Sequence, residues 1–95
     1  MEIFFLTKPP RSDRTELCLR LLQSSNDAAI YLAGDGIYNL LEDSLKALPP
    51  ERIIVCKEDM QARGVAAREG VAVPDDFYER LVEDLMREGN RVYTF

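Results

Sequence analysis

Cys56 is the residue whose position in this chain best fits chemistry. The β-branched run Ile53-Ile54-Val55 leads into it. Lys57-Glu58-Asp59-Met60-Gln61-Ala62-Arg63-Gly64 then reads as a short helix that opens on two carboxylates and stops at a glycine. This puts a thiol at the C-terminal end of a parallel strand, facing a helix N-terminus. Ligands and reactive groups collect at that edge of open α/β sheets, and a helix N-terminus favours thiolate over thiol. The neighbouring charges disagree: Lys57 favours the thiolate, while Glu58 and Asp59 oppose it. The chain has no histidine, which removes Ser-His and Cys-His hydrolysis. Thiol–persulfide exchange needs less, namely an accessible thiolate and a partner sulfur. The plain alternative is a small apolar residue buried at a strand end.

Three other constellations carry weaker signals. Cys18 lies among Leu17, Leu21 and Leu22, where core packing explains it better than reactivity. Gly34-Asp35-Gly36 resembles part of a phosphate loop. It lacks the third glycine of a dinucleotide fingerprint and the Gly-Lys-Ser/Thr of a P-loop, so it reads as a strand-to-helix turn with Asp35 as N-cap. Asp35, Gly36 and Glu58 are expected to shape a cleft around Cys56. Asp75, Asp76 and Glu79 gather where a last helix begins, and acids there suit the helix dipole.

The elements that must position these groups alternate strand and helix. Strands are expected at Ile3–Thr7, Ala28–Ala33, Arg52–Cys56, Gly70–Val73 and Arg91–Phe95. Ser12 or Asp13 caps a helix that runs to about Ser24. Leu17, Cys18, Leu21 and Leu22 lie on its apolar side. Ile37, Leu40, Leu41, Leu45 and Leu48 mark a second helix, stopped by Pro49-Pro50, and Glu58 to Ala62 form a third. Pro74 opens the last, whose apolar face is Phe77, Leu81, Val82, Leu85 and Met86. This order implies a parallel α/β sheet with right-handed crossovers.

Composition narrows the functional classes. With 95 residues, 46% of them hydrophobic, the chain reads as one domain over 1–95. A net charge of −5 argues against direct nucleic-acid binding. No apolar run reaches the roughly 18 residues of a membrane span. The opening Met1-Glu2-Ile3-Phe4-Phe5-Leu6 lacks the features of a signal peptide, so a cytoplasmic location is expected. Two cysteines without histidine make a zinc site unexpected, and no cofactor is expected.

The order of three segments resembles the DsrH/TusB family of sulfur-relay proteins. These are Leu32-Ala33-Gly34-Asp35-Gly36-Ile37-Tyr38, then Lys57-Glu58-Asp59-Met60-Gln61-Ala62-Arg63-Gly64-Val65, then Asp76-Phe77-Tyr78-Glu79-Arg80-Leu81-Val82. The family's counterparts read L-x-x-D-G-V, E-D-L-x-A-R-G and D-Y-x-x-F-V-x-L, and its L-H-x-S-P opening is similar to Phe5-Leu6-Thr7-Lys8-Pro9-Pro10. The resemblance implies a three-layer α/β/α sandwich on a five-stranded, mainly parallel sheet. It also implies assembly with itself or with DsrE/TusD-like and DsrF/TusC-like subunits. Such complexes pass persulfide sulfur between donor and acceptor proteins, towards 2-thiouridine in tRNA or within sulfur oxidation. In the related TusD/DsrE subunit an active cysteine precedes the Arg-Gly of this helix by the spacing that separates Cys56 from Gly64. Many TusB-like chains have an apolar residue at that place. Thr15-Glu16-Leu17-Cys18-Leu19 is similar to a cysteine-bearing first-helix segment of DsrH proteins, so Cys18 is a second candidate carrier. The closing Tyr93-Thr94-Phe95 stands where the family commonly carries a tryptophan. A non-catalytic assembly subunit and a small-molecule-binding module are the alternative readings.

Overall fold

The computed structural model describes residues 1–95. Its centre is a parallel sheet of four strands: β1 (Glu2–Leu6), β2 (Ala28–Leu32), β3 (Ile53–Val55) and β4 (Arg91–Thr94), in the order β3-β2-β1-β4. Three α-helices accompany it: α1 (Asp13–Gln23), α2 (Lys57–Ala62) and α3 (Phe77–Met86). The α/β class and parallel sheet are as the sequence implies, but the fifth strand is not there. Of Gly70–Val73 only one bridge forms, Ile54 to Ala72. The segment is confined by Gly70, at φ +88°, and by Pro74, which has no N–H to extend a ladder. Ala72 still covers the outer edge of β3, accepting from Val55 N–H at 2.9 Å and donating to Ile53 C=O at 3.0 Å.

Strand alternation divides the core into two layers. Phe4, Leu6, Ile30, Leu32, Ile53 and Val55 face α1 and pack with Cys18, Leu22, Ile37 and Leu45. Ile3, Ala29, Tyr31, Ile54 and Cys56 face the other way and pack with Phe77 and Leu81 of α3. The C-terminal aromatics are not idle: Tyr93 and Phe95 both stack on Phe4, with centroids at 5.1 and 6.4 Å.

Helix α1 is capped by Ser12, whose hydroxyl accepts from Thr15 N–H at 3.1 Å. Thr15 is buried and donates its hydroxyl to Pro9 C=O at 2.7 Å. Docking the helix through Thr15, Cys18 and Leu22 turns Leu17 and Leu21 outward, so the expected apolar side is only half buried. In α3 the difference is larger. Phe77 and Leu81 point inward, while Tyr78, Val82, Leu85 and Met86 are exposed.

The helix expected over Ile37–Leu48 is a 3₁₀ run, Gly34–Leu41, followed by a second short turn, Asp43–Leu45. The break falls at Glu42, whose backbone is extended at φ −107° and ψ 161°. The start is equally constrained, because Gly36 sits against β1. A Cβ there would lie 2.1 Å from the Leu6 carbonyl oxygen. Asn39, wholly buried, ties the run inward by donating to Lys8 C=O and Gly36 C=O at 3.1 and 3.0 Å. Asp35 is not its N-cap. Ala33 holds that position without a side-chain bond, and Asp35 falls in the first turn.

Candidate functional site

Cys56 ends β3 and caps α2. Its N–H donates to Leu32 C=O at 3.0 Å, and its C=O accepts from Met60 N–H at 3.0 Å. The thiol points to the α3 face because it shares parity with Ile54. Helix α2 ends in a Schellman motif: Gly64 at φ +65° donates to Gln61 C=O and buried Val65 donates to Met60 C=O. That closure fixes the short helix and so fixes where its first turn meets the sulfur.

The sulfur lies in a hollow of about 250 Å³ lined by Cys56, Glu58, Asp59, Asp75, Phe77, Tyr78 and Glu79. Cys56 is 3% exposed. Its thiol donates to Glu58 Oε2 at 3.6 Å. Burial, then the Asp59 and Glu58 carboxylates, push its pKa upward, and the Asp59 N–H opposes them only in part. The thiolate preference expected from a helix N-terminus is therefore reversed. With six residues, α2 offers little dipole against two carboxylates and a desolvated sulfur.

The two glycine-turn candidates stand outside this hollow. Asp35 is exposed and accepts from Arg63 Nε and Nη2 at 3.3 and 3.2 Å. Gly36 is buried against Leu6. The turn acts on the site at one remove. Gly34 N–H donates to Asp59 Oδ2 at 2.7 Å, and Arg63 Nη1 donates to Asp59 C=O at 3.3 Å, with its guanidinium 6.0 Å from the Tyr38 ring centroid. The protein's own carboxylate thus fills the place that a bound anion would take at this turn. Cys18 is wholly buried in the opposite core layer, and burial pushes its pKa up to about 12. The two cysteines are not brought together.

Tyr78 is the residue that sequence reasoning missed. It is 53% exposed, packs edge-on against Phe77 at 4.9 Å and lines the thiol's hollow. A larger groove of about 680 Å³, between α1 and the 3₁₀ run, shares no lining residue with it.

The profile of the family described as "DsrH like protein" matches residues 8–90. The chain belongs to the DsrH-like family. The match takes in α1, the glycine turn, the Cys56 hollow and α3. None of the curated proteins matches the chain.

Proposed function

We propose that this DsrH-like chain is a subunit of a cytoplasmic sulfur-relay system in which Cys56 carries persulfide sulfur. Its assembly partners are sister subunits of the DsrE/TusD and DsrF/TusC kinds or further copies of itself, and the sulfur goes to tRNA 2-thiouridine or through sulfur oxidation. The observation that supports this reading is a thiol at a strand's C-terminal end, facing a hollow of about 250 Å³.

The chemistry balances without an added oxidant. Cys56 loses its proton and attacks the outer, sulfane sulfur of a donor persulfide. A Cys56 S–S bond forms as the donor S–S bond breaks, and the donor sulfur leaves as a thiolate that takes up a proton. Passing the sulfur on repeats the exchange with Cys56 as the leaving group. Glu58, which accepts from the thiol, is placed to receive the first proton.

A second reading, an assembly subunit whose partner carries the sulfur, is favoured by the thiol's burial and raised pKa. Cys56→Ser separates the two. Under the carrier reading the variant assembles normally, yet neither accepts labelled sulfur from a donor persulfide nor passes it on. Unchanged sulfur flow through the reconstituted complex leaves the assembly reading standing.

A further inference from the structure

The hollow at Cys56 does not end at the thiol. It adjoins a shallow groove of about 420 Å³ along α3, lined by Tyr78, Glu79, Val82 and Glu83, and Tyr78 and Glu79 line both. One wall of this path is apolar and uncovered, with Val82 at 54% and Met86 at 80% exposure continuing the line of Tyr78. The other wall is acidic. Glu79 and Glu83 are one helical turn apart on the exposed side of α3, and Glu58, Asp59 and Asp75 surround the sulfur. Two nearby positive charges are already engaged, Lys57 Nζ with Asp75 at 3.2 Å and Arg63 with Asp35, and the half-buried Arg80 of α3 is in no ion pair.

This pairing of surfaces discriminates among occupants. A second copy pairing through the same face opposes Glu79 and Glu83 to themselves. RNA and anionic lipid are repelled by the acidic wall. A polypeptide segment with cationic and apolar side chains satisfies both walls at once. We infer that the sulfur-exchange partner of Cys56 presents its sulfur on a cationic, apolar segment that lies along α3 between the Glu79–Glu83 wall and Tyr78–Val82. This rests on the reading of Cys56 as the carrier and adds the chemistry of what reaches it. Docking then has a second effect. Positive charge beside Glu58 and Asp59 offsets the carboxylates that hold the thiol protonated, so the partner activates the sulfur as it arrives.

Charged disulfides test this on the native protein. Cystamine is cationic, 2-hydroxyethyl disulfide neutral and dithiodiglycolate anionic. In each case the Cys56 thiolate attacks one sulfur, the S–S bond breaks, and one small thiolate leaves and is protonated, giving a mass adduct mapped to Cys56. Each rate is divided by that of the same probe with N-acetylcysteinamide, which removes intrinsic reactivity. At low salt the normalised cystamine rate is expected to exceed the neutral one about tenfold, from one positive charge roughly 8 Å from several carboxylates in water. The anionic probe is slowest, and in 1 M salt, where the screening length is about 3 Å, the ratios fall towards one. Glu79→Gln combined with Glu83→Gln lowers the cation preference, read as the ratio of the normalised cystamine rate to the neutral one, severalfold. The disulfide of a Lys-Leu-Cys amide outpaces that of Lys-Ser-Cys amide, and Val82→Ser removes the difference. Equal rates for the three charges, or a faster anion, overturn the inference and leave the carrier reading intact. If no probe modifies Cys56 in the folded protein, both fall.

Discussion

Gly36→Ala tests the contact on which the whole site leans. The added Cβ would sit 2.1 Å from the Leu6 carbonyl oxygen and 2.9 Å from its carbon, against an ordinary carbon–oxygen approach of about 3.3 Å. The gap must open by more than about 1 Å. Leu6 cannot yield freely, because that oxygen also accepts from Ala33 N–H at 3.2 Å, the last rung between β1 and the exit of β2. Forced overpacking costs about 1–3 kcal/mol and a lost backbone bond about 1 kcal/mol more, so a total of about 2–4 kcal/mol is expected. For a domain of this size each kcal/mol lowers Tm by about 4–8 °C, which gives a fall of about 8–32 °C. Circular dichroism melts and urea titration, with an unchanged slope against denaturant, measure it. Gly64→Ala is the control. It has the left-handed φ of +65° but nothing within 4 Å of the new carbon, so it costs only about 1 kcal/mol. A Gly36→Ala melt within about 3 °C of the parent, or no worse than Gly64→Ala, refutes the idea that β1 holds the glycine turn in place.

Cys18 makes stability fall at alkaline pH. The unfolded chain releases this proton near 9.0, the folded one holds it to about 12, and stability drops across that window by up to about 1.4 kcal/mol per pH unit. Cys18→Ala should flatten the decline measured by urea titration between about pH 8 and 10, and an unchanged slope would mean that the thiol is not desolvated. Tyr31→Phe removes the hydroxyl that donates to the Asp84 carboxylate and leaves that half-buried group with only Arg87 Nη1, 3.9 Å away, so a loss of about 1–3 kcal/mol is expected in denaturant titration. Glu58→Gln removes one of the carboxylates that disfavour the thiolate, and iodoacetamide should modify Cys56 faster at neutral pH. A slower reaction would show that Glu58 serves the thiol chiefly as proton acceptor.

Where the site sits was legible because it depends on local rules. Ile53-Ile54-Val55 is too short and too β-branched to be anything but a buried strand, and the strand's period of two assigns Cys56 to the face of Ile54. Gly64 stops α2 because a left-handed C′ position calls for glycine. What failed depends on tertiary contact. Leu40, Leu41, Leu45 and Leu48 carry a helical period, but the approach of Gly36 to Leu6 and the inward bonds of Asn39 tighten the chain into 3₁₀ turns. The apolar face of α3 looked wider than the part that docks, because an apolar helix position is equally compatible with a core and with an uncovered surface.

The local environment of Cys56 follows from the same division. Reading Glu58 and Asp59 as ordinary first-turn acids was sound for an isolated helix, and sequence spacing alone puts Lys57 beside the sulfur as a competing cation. Folding changes both terms. Lys57 turns to Asp75, Asp59 turns back to cap Gly34 N–H, and α3 brings Phe77, Tyr78 and Glu79 over the thiol from more than twenty residues away. The helix contributes one amide, from Asp59, in favour of the thiolate. Burial and two carboxylates act against it. In isolation the chain therefore stores its sulfur atom as a thiol shielded from solvent. Under the carrier reading proposed above, exchange calls for positive charge at this edge, and the acidic wall of α3 is the surface proposed to hold it.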